Sequence, residues 1–214
     1  MSYSAFTFNV ESAKKADSEG GRIQETNKYV GTLTRVEFTT SQKGTKGLEV
    51  NFITDDKLET NFTIWTEKSD GTPIFGVDKV NAILACTRTH GLTPTNANVE
   101  KYDFDEKKVV IKPAVIAPEL SNKRIGLLLQ AEQYYNSNND VKTRMAFVAC
   151  FEEASSLMAK EICEKKTVAE ALPKAYERLM KNGDKTVEPQ YTQTQNGGYG
   201  ANPSAPDLDS DLPF

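Results

Sequence analysis

Between Tyr29 and Thr66 the chain alternates apolar and polar residues three times over. This period-two pattern confines the first half of the protein to a sheet with one buried face. Tyr29–Thr39 is rich in β-branched and aromatic residues, and Gly31 is expected to mark a bulge. Leu48–Thr54 sets Leu48, Val50 and Phe52 against Glu49, Asn51 and Ile53. Leu58–Thr66 sets Phe62 and Ile64 against Asn61, Thr63 and Trp65. A basic, glycine-rich loop, Gln42-Lys43-Gly44-Thr45-Lys46-Gly47, joins the first two strands, and a tight Asp55-Asp56-Lys57 turn joins the next two. Asp70-Gly71-Thr72-Pro73 breaks the pattern.

Val77, Val80, Ile83 and Leu84 then recur at helical spacing, with Gly91 placed to end the helix. After a loop, Lys107–Ile116 reads as a strand with Val109, Ile111 and Val115 on one face. Lys123–Tyr135 continues with Ile125, Leu127, Leu129 and Ala131, and Asn136–Asp140 makes a hairpin turn. Thr143–Glu152 returns as a strand apolar on both faces, hence central. Strand–strand–strand–helix–strand–strand is the order of an oligonucleotide/oligosaccharide-binding (OB) barrel. The expected fold is therefore mostly β with helices: an OB-fold barrel of five or more strands, with its helix between the third and fourth. The extra strand is a bent strand or an elaboration.

Around this barrel, residues 27–153, the sequence predicts a polar N-terminal arm over 1–26 with one short strand, Ala5–Val10. A helical extension follows over 154–183. In it Leu157, Met158 and Ile162 form one stripe, and Thr167-Val168-Ala169-Glu170 fits a capping box opening a second helix. Pro173 bends or restarts that helix, Leu172, Tyr176 and Leu179 form its apolar face, and Asn182-Gly183 ends it. These helices either cover the barrel or mate with a second copy in a homo-oligomer.

From Asp184 to Pro206 the composition shifts to Gln, Asn, Gly, Thr and Pro, the signature of a disordered, flexible linker. Residues 184–214 hold five acids and one base, which leaves 25 of each in the body, so the net charge of −4 belongs to the tail. A neutral body lacks the broad basic footprint of a strong nucleic-acid binder, although a local basic groove with stacking aromatics suffices for single strands. No apolar run is long enough for a membrane span, and no basic region with an apolar core opens the chain. Cys86, Cys150 and Cys163 are irregularly spaced, as free thiols in a reducing compartment are. Cytoplasm is the expected location, with no membrane partner.

The last eight residues, 207–214, alternate Asp207, Asp209 and Asp211 with small or apolar residues and run into Leu212-Pro213-Phe214. So short a segment buries too little to fold alone, and suits a basic pocket with an apolar floor. This tip resembles the C-terminal tip of bacterial single-stranded-DNA-binding proteins and of phage proteins that imitate it. A general likeness to phage-encoded single-stranded-DNA-binding proteins extends over roughly residues 1–183. The resemblance implies an OB body that protects single-stranded DNA and a tip that recruits replication, recombination and repair proteins in a bacterial or phage-infected cell. The tip is expected to compete with DNA for a basic groove, so that deleting it tightens binding, most at low salt.

Catalysis is not expected. His90 is the single histidine, no Gly-x-Ser-x-Gly or Gly-x4-Gly-Lys-Ser/Thr occurs, and Asp55-Asp56 reads as turn chemistry. Cys86 and His90 stand one helical turn apart, but Cys150 and Cys163 fall in apolar stretches, so neither metal nor cofactor is expected. The nucleic-acid reading rests on Trp65, an indole on the polar side of its strand, and on Lys43 and Lys46 in the loop beside the expected binding face. Arg35 and Lys112 lie on polar strand faces, and Lys142 and Arg144 flank the Asn136–Asp140 hairpin. The alternative is a protein–protein adaptor of DNA metabolism without nucleic-acid binding of its own. Base-edge readout is not indicated, so binding is expected to be independent of sequence and sensitive to salt.

Overall fold

A computed structural model describes residues 21–103, 106–136 and 138–187. The Ala5–Val10 strand, nearly all of the linker and the tip lie outside these residues. The chain forms a mostly β structure: β1 (Gly21–Arg22), β2 (Asn27–Thr40), β3 (Lys46–Thr54), β4 (Leu58–Glu67), α1 (Gly76–Cys86), β5 (Thr95–Asp103), β6 (Lys108–Ile116), β7 (Lys123–Tyr135), β8 (Val141–Phe151), α2 (Ala159–Cys163) and α3 (Ala171–Asn182). The strands join in one strongly curled, half-barrel sheet.

β2 is the strand that makes the curl. Its first half pairs antiparallel with β7 and its second half with β3, and residues 31–33 pair with both at once. Gly31 sits where these strands crowd: a Cβ there would lie 2.1 Å from the Ile53 carbonyl oxygen. It stays in register, so it is a close-approach glycine rather than the expected bulge. The register shift falls instead between Leu33 and Arg35. That extra residue resets the alternation. Leu33 and Val36 both point into the core, while Arg35 and Glu37 pair with Asn51 and Glu49, whose neighbours Val50 and Phe52 are buried.

Leu48, Val50, Phe52, Phe62 and Ile64 form the inner face with Ile125, Leu127 and Leu129 from β7, and Met145 and Phe147 from β8. No ladder among the described residues joins β4 to β8. The seam is closed by side chains: the Phe62 and Phe147 rings stack at 5.4 Å, and α1 packs against both strands. Lys79 of α1 donates from Nζ to the Phe147 carbonyl at 2.7 Å. Burial lowers its pKa from the ordinary lysine value, because the charged form loses water there.

β7 is apolar on both faces because α3 covers its other side. Leu172 and Leu179 pack on Leu128 and Phe151, with Tyr176 at the margin. Thr143–Glu152 was expected to be the strand buried on both sides; β8 instead exposes Lys142, Arg144 and Val148.

Several other expectations are corrected. α1 ends at Cys86, well before Gly91, and its last turn is finished by the Thr87 hydroxyl donating to Ile83 O at 2.8 Å. The loop expected after the helix contains β5, which pairs with β6 as a ribbon. Val109 and Ile111 are 61% and 71% exposed, because among the described residues the ladder that joins this ribbon to the rest of the sheet pairs only Glu37–Ile116 and Phe38–Val115. The first of the two helices expected over 154–183 starts only at Ala159, and the expected stripe is split: Met158 packs with the α3 core and Ile162 with the barrel core.

Thr167 does not cap α3. The buried Glu161 carboxylate of α2 accepts hydrogen bonds from the backbone N–H groups of Glu170 and Ala171, both at 2.8 Å. It also accepts one from the Met158 N–H, the main cause of its lowered pKa. Pro173 falls in the first turn of α3, where its missing N–H leaves no intrahelical bond unmade. No described helix is long and apolar enough to cross a membrane.

Candidate nucleic-acid interface

The register of β2, β3 and β4 fixes three outward rows of side chains. The first is Arg35–Asn51–Asn61, the second Glu37–Glu49–Thr63, and the third Thr39–Gly47–Trp65. Successive rows are two residues apart along a strand, about 7 Å.

Trp65 is half-buried and lies against Gly47: a Cβ at residue 47 would stand 2.5 Å from the Ile64 carbonyl oxygen and 3.0 Å from the indole Cε3. Only glycine leaves that space, so the ring is seated on the neighbouring strand instead of standing free. Beside it Lys46 Nζ lies 2.6 Å from Glu67 Oε1, and the exposed Lys43 follows in the loop. At the opposite end of the face, Arg22 donates to Asn61 Oδ1 at 2.8 Å. A shallow cavity of about 230 Å³ opens there, lined by Arg22, Arg35, Asn51, Glu59 and Asn61 among others. Asn51 Nδ2 is enclosed with no hydrogen-bond acceptor among the described residues.

The β5–β6 ribbon flanks the β2 side of the face. Glu37, 3% exposed, is held between Arg35 Nε at 2.6 Å and Lys101 Nζ at 2.6 Å, so one carboxylate ties floor to ribbon. Arg35 Nη1 also donates to the Glu100 carbonyl at 3.0 Å. Val99 pairs with Lys112, and Lys101 with Val110, which puts Lys101 and Lys112 on one side of the ribbon. Lys112 Nζ lies 2.8 Å from Asp103 Oδ2.

No family model matches the chain, and no curated protein does. What the surface can do therefore follows from its geometry. Arg35 and Trp65 share one face, with Lys43 and Lys46 at the β2–β3 loop end of it and Lys112 on the flanking ribbon. Lys142 and Arg144 are not in the three rows. They lie on β8, where Arg144 stands 5.4 Å over the Tyr134 ring and 3.4 Å from Glu132, a carboxylate that also takes Lys185.

Arg22, Glu37, Glu49, Asn51, Asn61 and Lys101 belong to the face and were not singled out in the sequence. Strand alternation already put Glu49 and Asn61 on the polar side. Arg22 and Lys101 gave no such signal, because the one lies in a two-residue strand and the other in a ribbon with no apolar stripe.

Cys86 and Cys150 face each other in the core, sulfur to sulfur at 3.6 Å, and Cys163 is exposed. The hydrogen bond with Cys86 and burial push the Cys150 thiol above its ordinary pKa. Among the described residues no three His, Cys, Asp or Glu side chains converge as metal ligands.

Proposed function

We propose that this chain binds single-stranded DNA across the outer face of β2–β3–β4 and recruits replication, recombination or repair proteins through residues 207–214. The observation that carries the reading is Trp65 seated on Gly47 at the end of a polar face, with Lys43 and Lys46 beside it. An indole held against a neighbouring strand stacks a base at little cost in side-chain entropy, and such stacking contributes about 1–3 kcal/mol per base. Lysines and arginines at the margins meet phosphates, which makes affinity fall with salt.

The strand order supports an OB barrel. β2–β3–β4, α1 and then β7–β8 follow the OB sequence of strands and helix, with β5–β6 as an inserted ribbon. The β2–β3 loop then corresponds to one of the two OB loops that flank the binding face.

One observation favours the adaptor reading instead. Arg35, Lys46, Lys112 and Arg144 each already have a carboxylate within 3.4 Å, so the surface offers little uncompensated positive charge. The two readings part in a titration of oligo-dT into the full chain, followed by Trp65 fluorescence at low and moderate salt with a gel shift alongside. Saturable quenching that weakens with salt is the expected result. A flat trace with an unshifted band would leave the adaptor.

A further inference from the structure

Glu37 and Glu49 are direct cross-strand partners, both on the outer face. Like charges facing each other across a ladder destabilise a sheet. Only one of the two is compensated: Glu37 has Arg35 and Lys101, each at 2.6 Å. Glu49 has no ion pair among the described residues, and its one side-chain hydrogen bond is a long one from Asn61 Nδ2, at 3.5 Å. It is half-buried in the middle row beside Thr63, one row from Trp65. The fold thus keeps an acceptor-only group in the floor of a surface proposed to hold a polyanion, about 7 Å from the stacking residue.

We infer that Glu49 reads the base next to the one stacked on Trp65, and favours bases with an exocyclic amino group over thymine. This rests on the single-strand reading above. A phosphate is repelled by an uncompensated carboxylate, so the strand presents bases to the middle of the floor and phosphates to its cationic margins. Single-stranded bases expose their Watson–Crick edges. Cytosine offers its N4 amino group to a carboxylate, a pairing that also occurs in duplex readout. Thymine offers carbonyl oxygens on either side of its one N–H, and these oppose the carboxylate. The outer face is therefore not blind to sequence.

The test is competition of unlabelled oligo-dC and oligo-dT, equal in length, against a labelled oligomer bound to the full chain, read by anisotropy so that Trp65 is not the reporter. The wild type should prefer oligo-dC on the order of ten-fold, as expected for a hydrogen bond to a charged group. Glu49→Ala should bring the ratio near unity. Glu49→Gln, which keeps one carbonyl acceptor, should fall between. Both variants relieve the repulsion with Glu37 and should melt no lower than the wild type. Equal affinities in the wild type, or a preference that survives Glu49→Ala, would overturn the inference while leaving single-strand binding in place. Failure to bind either oligomer would remove both.

Discussion

On the inner face of β3 and β4, Leu48, Val50, Phe52, Phe62 and Ile64 are at most 6% exposed. One residue along the same strands, Glu49, Asn51, Asn61, Thr63 and Trp65 turn outward and meet solvent or one another. The inner set is interchangeable in chemistry, and what it must match is volume. The outer set is not: each row has its own donors, acceptors or ring, and one position, Gly47, is small so that a neighbour can lie on it. On the proposed function, a ten-residue strand such as β4 would serve stability and recognition with alternate side chains. The two properties should come apart under mutation.

The largest effect should come from the inner face. Phe52→Ala empties a site that is 1% exposed, and should lower stability in urea by about 3–5 kcal/mol. Its folded fraction should still bind oligo-dT as the wild type does. On the outer face, Trp65→Ala should cost about 1–3 kcal/mol of oligomer binding, with Trp65→Phe retaining part of it, as a gel shift would show. If Trp65→Ala lowered stability by as much as Phe52→Ala and left binding intact, the indole would belong to the core and the comparison would fail.

The smallest effect should be that of Lys142→Ala with Arg144→Ala. Both are exposed on β8, away from the three rows, and surface changes of this kind shift stability by no more than ~0.5 kcal/mol. Oligomer affinity should change less than with Trp65→Ala. A loss equal to that of Trp65→Ala would extend the interface to the β7–β8 hairpin, where the sequence had placed part of it.

Much of the inner face was legible beforehand. Alternation identified Leu48, Val50, Phe52, Phe62 and Ile64 as core, and turned Trp65 to the polar side, because period two is a local property of the chain. β5 was not legible: Thr95–Asp103 reads Thr-Asn-Ala-Asn-Val-Glu-Lys-Tyr-Asp, and a ribbon that covers no core needs no apolar stripe. The bulge after Leu33 was misplaced to Gly31, since a glycine serves a close approach as readily as a bulge. The Glu37–Glu49 pair and the capping of α3 by Glu161 depend on register and on contacts between elements. No local pattern encodes either, and the same is true of the Arg35–Glu37–Lys101 link from floor to ribbon.

Ultraviolet crosslinking of the full chain to oligo-dT, with the adducts mapped by peptide mass spectrometry, tests the placement of the interface most directly. Adducts at Trp65 and in the β3 and β4 peptides, reduced by salt, are what the outer-face account predicts. Adducts confined to the β7–β8 hairpin, under conditions where a gel shift shows binding, would contradict it.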